Sequence, residues 1–239
     1  MHFHLPKPLH GWREFAGEVA IIVLGVLIAL GMEQVAQSWH DHASARAARD
    51  AVRSEVGDDL GDLRARIDTE GCIEQRFDDI SNYLDAASDG TVPDPPTWIG
   101  RPETTAMDTY RWDAASQAGR VSLFSAEEQA EYSDLYGGIK LIGEEEAKEQ
   151  ELWAQLRSLE GQHHIPAVTG DTMRSVLSQA RYADWEIRLF FRADADNAKS
   201  AHIPLVTDPR YPPNRSVCLP IRTSRAAALN MLNSKYGAP

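Results

Sequence analysis

The feature that most constrains this chain is an apolar run near its start. Fourteen consecutive apolar residues extend from Val19 to Met32, and the segment lies between two tryptophans, Trp12 and Trp39. On a helix that rises about 1.5 Å per residue these tryptophans are about 40 Å apart, which approaches the full thickness of a bilayer with its headgroups. Tryptophan is enriched at both membrane interfaces. The run therefore predicts a transmembrane helix over residues 14–36, with Trp12 and Trp39 as interface anchors.

Two other interpretations of this segment stay open. Small residues at Ala29 and Gly31 fit the −3 and −1 positions of a signal-peptide cleavage site, and a run of fourteen also suits the core helix of a soluble protein. Glu14 and Glu18, however, stand where a signal peptide carries basic residues. We therefore expect an uncleaved anchor, with Glu18 and Glu33 near the two interfaces, where a carboxylate costs less than at the midplane.

The charge distribution predicts the orientation of the anchor. Residues 1–13 contain Lys7 and Arg13 but no acidic residue, so the positive-inside rule places this segment in the cytoplasm. Everything after the anchor then lies in the periplasm of a bacterium. The formal net charge of −12 disfavours a nucleic-acid partner, because binding to phosphates needs a basic surface.

The exterior part has a helical pattern almost throughout. Apolar residues recur at three- and four-residue steps, so we predict an all-α protein in which the anchor is followed by a periplasmic antiparallel helical bundle over residues 37–203. A break is expected near Gly71, a short helix at about 104–117, a helix opened by the capping box Ser125 and Glu128, and another at about 171–200. Residues 204–239 are predicted to form a proline-rich loop and a short helix, capped by Ser224, that pack on the bundle. Arg222 and four other cations, with no acidic residue after Asp208, give this tail a charge of +5, which suits an acidic bundle or anionic headgroups.

The two cysteines, Cys72 and Cys218, show no spacing typical of a zinc site. In an oxidising compartment they could form a disulfide across a long loop. The alternative is two unrelated buried thiols.

Part of the sequence resembles a known group of proteins. The N-terminal pattern Glu14-Phe15, Glu18 and residues 24–30 (LGVLIAL), followed by a charged helix, is similar to uncharacterised bacterial single-span membrane proteins of the DUF6090 type. The later block Arg111-Trp112-Asp113 and residues 123–136 fits the same kind of protein. The resemblance implies a membrane anchor with a helical exterior domain and implies no activity.

No motif for catalysis or for a cofactor is present: the sequence lacks G-x-S-x-G, a P-loop, G-x-G-x-x-G and H-E-x-x-H. His40 and His42 are two residues apart on a helix and point in different directions, and the pair His163 and His164 has no further ligands in sight, so no metal site is predicted. The acidic stretch Glu144 to Glu146 with Glu149 and Glu151 is expected to be a solvated helix face, with a calcium site as the less favoured alternative.

One pattern within the anchor predicts a contact between helices. Ile22, Gly25, Ala29 and Met32 follow one face of the helix, and Gly25 and Ala29 form a small-x-x-x-small pair that permits close helix packing. We therefore expect a non-enzymatic interaction protein that binds the bilayer, itself or another membrane or periplasmic protein. The alternative is an oligomeric channel whose cation or proton path is lined by Glu18 and Glu33.

Overall fold

The computed structural model describes residues 11–88, 94–207 and 215–236 of the 239-residue chain. All regular secondary structure in these ranges is helical, which confirms the all-α prediction. The six α-helices are α1 (Trp12–Ile67), α2 (Glu70–Ser88), α3 (Tyr110–Gln117), α4 (Ala126–Leu156), α5 (Ala167–Ser200) and α6 (Arg225–Tyr236). Single turns of 3-10 helix occur at Val121–Leu123, Arg157–Leu159 and Ser216–Cys218.

Helix α1 is 56 residues long and runs without interruption through the predicted boundary between anchor and bundle at residues 36 and 37. Its side chains are exposed over most of the first half, and the first buried one is Ala45. The helix ends at Ile67, where the Thr69 hydroxyl donates to the Arg66 carbonyl at 2.7 Å, and α2 starts at Glu70. The break predicted near Gly71 is thus confirmed.

The bundle contains two apolar clusters along its length. The first joins the second half of α1 to the first half of α4 and the end of α5, and its fully buried members include Val52, Leu60, Leu135, Ile139 and Ile187. The second joins α2 to the end of α4 and the first half of α5, and it includes Ile73, Phe77, Trp153, Leu156 and Ala180. Helices α4 and α5 therefore contribute to both clusters, and a layer of buried charged residues lies between them.

Helix α3 is shorter than the sequence predicted. It starts at Tyr110, whereas the prediction began at residue 104. The intervening backbone is bound by carboxylates of the bundle: Thr105 N–H donates to Glu146 at 3.0 Å and Asp108 N–H to Asp59 at 3.2 Å. These donors lie in a non-helical segment, and their partners are distant in sequence, so local periodicity does not reveal where the helix starts.

Helix α4 begins at the predicted capping box. Ser125 Oγ accepts from Glu128 N–H at 3.1 Å, and Glu128 Oε2 accepts from Ser125 N–H at 2.8 Å. The adjacent glycines Gly137 and Gly138 do not interrupt the helix. A Cβ at Gly138 would overlap the carboxyl group of Asp194 on α5, so this glycine makes room for a neighbouring helix.

The segment 203–207 lies against α1, and we call it the strap. Val206 N–H donates to the Gly57 carbonyl at 2.9 Å, and Thr207 Oγ1 donates to the Gly61 carbonyl at 3.1 Å. A Cβ at Gly61 would overlap the carbonyl group of Val206, so the close approach requires glycine there.

At the start of α6, Ser224 Oγ accepts from Ala227 N–H at 3.3 Å, so Ser224 is the cap of this helix. Two parts of the predicted organisation lie outside the described residues. They are residues 1–10 of the cytoplasmic segment and residues 208–214 and 237–239 of the C-terminal region.

Candidate functional site

The first candidate site is the exposed apolar half of α1. Large apolar side chains are exposed all along this half of the helix. The exposed fraction is 74% for Ile21 and 70% for Met32. Trp12 and Trp39, the predicted anchors, are 80% and 81% exposed at its two ends. Within the described residues this is the one helix long and apolar enough to cross a membrane.

The predicted packing residues Ile22, Gly25, Ala29 and Met32 all lie on this exposed surface, and we call them the stripe. No atom lies within 4 Å of a Cβ built at Gly25, so the stripe touches no other part of the described chain. Glu18 and Glu33 are exposed on the same half-helix and are not brought together by the fold. Whatever covers this surface must therefore come from outside the described chain.

Cys72 and Cys218 form a disulfide, with their Cα atoms 4.8 Å apart. The bond joins the first turn of α2 to the 3-10 turn at Ser216–Cys218, across 146 residues of sequence. The same turn is held by Arg76 of α2, whose guanidinium donates to the Val217 carbonyl at 3.1 Å and to the Ile99 carbonyl at 2.6 Å. Burial lowers the pKa of Arg76.

The second candidate site is the layer of charged residues between the two apolar clusters, centred on Arg66 at the end of α1. This side chain is fully buried. Its Nη2 atom donates to Glu149 Oε2 at 2.7 Å and to Asp184 Oδ1 at 3.1 Å, and its Nε atom lies 3.7 Å from Glu146 Oε1. We call Arg66, Glu146, Glu149 and Asp184 the polar layer; it links α1, α4 and α5.

The polar layer holds three carboxylates against one guanidinium. Burial raises the pKa of Glu146 to about 8, although Arg66 and the Thr105 N–H act in the opposite direction. Burial likewise raises the pKa of Glu149 and Asp184. Burial alone lowers the pKa of Arg66, but its three acidic neighbours more than compensate and raise it. The guanidinium therefore stays charged, and the layer favours uptake of a proton at neutral pH.

A second arginine extends the network toward the surface. Arg188 Nε lies 3.1 Å from Asp184 Oδ2, and Arg188 also contacts Glu70 and Glu74 at the start of α2. Arg181 lies two helical turns before Arg188 on α5 and donates to Asp78 at 2.7 Å. These contacts join α2 to α5. Together with the polar layer, ion pairs therefore connect all four long helices of the bundle.

The prediction of a solvated acidic face on α4 is wrong for two of its residues. Glu144 and Glu151 are exposed, but Glu146 and Glu149 are each only 2% exposed and bind Arg66. The sequence did contain a signal. Ile142, Glu146, Glu149 and Trp153 follow one another at steps of four, three and four, so the two glutamates continue an apolar helical face. Sequence reasoning missed Arg66 because its acidic partners lie on other helices, far away in sequence.

No metal site is formed by the described residues: they contain no group of three His, Cys, Asp or Glu side chains placed to hold an ion. His42 Nδ1 lies 2.6 Å from the carbonyl oxygen of Ser38 on its own helix. His163 and His164 are exposed in the turn between α4 and α5.

No protein-family model, curated protein or solved structure matches this chain. The resemblance of its N-terminal segment to the DUF6090 group therefore stays a prediction, and the function has to be argued from the geometry.

Proposed function

We propose that this chain is a non-enzymatic, single-span membrane protein whose exterior helical bundle interacts with a second copy or with another protein. The observation that carries the proposal is the division of α1, a single helix that is bare and apolar from Phe15 to about Ala36 and forms part of the bundle core from Ala45 onward. Because the helix is continuous, no hinge separates its membrane half from its bundle half. A displacement or rotation of one half therefore moves the other.

The disulfide supports an exterior location for the bundle. Disulfides persist in oxidising compartments and are rare in the cytosol. Together with the cationic N-terminal residues, this favours a cytoplasmic N-terminus and a bundle in the periplasm. The ion pairs between α2 and α5 run in opposite order along the two helices, Glu70 with Arg188 and Asp78 with Arg181, which supports a bundle in which α5 runs antiparallel to α2.

Self-association through the anchor is supported by the direction in which the stripe faces. Gly25 and Val52 are 27 positions apart, which at about 100° per residue places them on opposite sides of α1. Val52 faces the core, so Gly25 and Ala29 face away from the bundle. Further along α1 the same side carries the strap, at Gly57 and Gly61.

The orientation is tested with reporters that are active only in the periplasm. A reporter fused after Pro239 is expected to be active, and one fused after Leu5 is expected to be inactive. The reverse pattern would place the bundle in the cytoplasm and refute the proposal.

Self-association is tested by crosslinking in membranes. Gly25→Leu adds bulk where two helices approach most closely and keeps the segment apolar, so insertion should persist while the crosslinked dimer is lost. Leu27→Ile is the matched control, because residue 27 lies away from the stripe. Equal dimer yields in Gly25→Leu and the unchanged chain would exclude this face.

The size of the detergent-extracted particle separates the interaction protein from the channel alternative. A monomer or dimer cannot form a ring lined by Glu18 and Glu33. A pentamer or a larger ring would favour the channel.

A further inference from the structure

A groove opens at the end of the bundle nearest the exposed half of α1. It has a volume of about 430 Å³ and lies between the core-facing side of α1 and the 3-10 turn Val121–Leu123. The α1 side is lined by polar residues that include Gln34, Ser38 and His42, and the opposite lip is formed by Leu123. This polar stretch follows directly after the apolar run, on the side of the helix that enters the core further along.

The lip of the groove is firmly attached to α1. Arg49 donates to Glu128 at 2.7 Å, and its guanidinium stacks over the ring of Phe124 at 4.9 Å from the ring centre. Phe124 is buried, while its neighbour Leu123 is 41% exposed. The turn Val121–Leu123 is thus fixed to α1, and this keeps the side chain of Leu123 exposed.

The depth of the groove matches that of lipid headgroups. If the apolar span ends at Ala36, residues 37–42 occupy the next 9 Å or so at about 1.5 Å per residue. The interfacial region of one leaflet is about 5 to 8 Å thick, since a bilayer of about 40 to 45 Å has a hydrocarbon core of about 30 Å. Ser38 and His42 therefore lie at or just above headgroup level, where Trp39 is also expected.

We propose that phospholipid headgroups fill this groove and that Leu123 rests on the bilayer surface, so that the bundle docks on the membrane by a second contact besides the anchor. The inference rests on the proposed function, because it requires α1 to span the bilayer. The groove supplies hydroxyl, amide and imidazole groups, together with the Asp41 carboxylate and the Arg49 guanidinium, for zwitterionic headgroups, and Leu123 is the exposed apolar side chain at its lip. A bundle held at two points cannot swivel freely about the axis of α1, which fixes the direction in which the stripe at Gly25 faces.

The test uses a photoreactive side chain in the full chain, reconstituted into phosphatidylcholine vesicles. In Leu123→p-benzoylphenylalanine, irradiation is expected to give several-fold more lipid adduct than in Leu141→p-benzoylphenylalanine. Leu141 is a matched control, since it is 46% exposed but lies about 24 Å along α4 from Ser125 at about 1.5 Å per residue. Equal lipid labelling at positions 123 and 141, or a protein adduct in place of a lipid adduct at position 123, would overturn the inference.

A third variant separates this inference from the proposed function. Leu27→p-benzoylphenylalanine places the probe in the middle of the anchor and is expected to label lipid strongly. Labelling at position 27 with none at position 123 would overturn the docking contact while supporting the anchor. Absence of labelling at position 27 would overturn the membrane span, and the docking contact with it.

Discussion

The two halves of α1 belong to one helix but meet different surroundings. The first half presents Ile21, Met32 and other apolar side chains with nothing against them, while the second half buries Val52, Leu60 and even the charged Arg66 completely. Helix formation is therefore not what distinguishes them. The difference lies in what covers the side chains: the bundle covers the second half, and we propose that lipid covers the first.

The two halves also use glycine differently. Gly25 has no neighbouring atom within 4 Å of a built Cβ, whereas Gly61 is covered by the backbone of the strap. Glycine thus permits a contact within the chain in the second half, and we propose that it permits a contact with a second copy in the first. Substitutions in the second half should therefore disturb the fold, and substitutions in the first should change only association.

The largest effect is expected from Arg66→Met. The substitution leaves Glu146 and Glu149 buried without a counter-ion and leaves Asp184 with Arg188 alone, which should lower the free energy of unfolding by about 3 to 5 kcal/mol. Chemical denaturation of the full chain in detergent, followed by circular dichroism, measures this change. Arg64→Ala is the control, because the side chain of Arg64 is 59% exposed and its pair with Asp68 should contribute less than about 1 kcal/mol. Similar small changes in both variants would contradict a structural role for the polar layer.

A smaller effect is expected when the two glycines are compared directly. In Gly61→Ala the new methyl group meets the Val206 carbonyl, and displacement of the strap should cost about 1 to 3 kcal/mol. This outweighs the gain in helix propensity, which is at most about 1 kcal/mol. Gly25→Ala should leave the unfolding of the bundle unchanged. Faster amide exchange over residues 203–207 in Gly61→Ala alone would show that the strap is released, and unchanged exchange there would refute the contact.

A further prediction concerns pH and the buried Asp59 of the second half. Burial raises the pKa of Asp59 to about 8, although its hydrogen bond from Asp108 N–H opposes the shift. The unfolded chain ionises this carboxyl near pH 4, while the folded chain keeps the proton until about pH 8. The free energy of unfolding should therefore fall as pH rises between these values. In Asp59→Asn, denaturation at several pH values should show a shallower decline; equal slopes in both chains would contradict this assignment.

Much of the fold could be predicted from the sequence because local signals are strong. The capping box at Ser125 fixes the start of α4, and Ser224 marks the start of α6. The apolar run from Val19 to Met32 identifies the exposed half of α1 without any knowledge of the bundle. The pairing of Cys72 with Cys218 was one of two alternatives, and the structure shows the bond.

The polar layer could not be predicted in the same way. A buried charge is tolerated only when its partners arrive from other helices, and Arg66 meets residues 80 or more positions away. Sequence reasoning therefore assigned Glu146 and Glu149 to a solvated face, although their spacing with Ile142 and Trp153 placed them on the core side. The start of α3 was misplaced for a related reason, because distant carboxylates bind the backbone before Tyr110.

Hydrogen exchange of the full chain in lipid nanodiscs tests most directly the claim that one helix joins the lipid to the bundle core. Amides over residues 19–34 should exchange as slowly as those over residues 52–63, since lipid shields the first stretch and the bundle core shields the second. Residues 37–42 should exchange faster than either stretch but slower than an unstructured peptide, because they remain helical while exposed to water and headgroups. Exchange of residues 19–34 at the rate of an unstructured peptide would contradict the account.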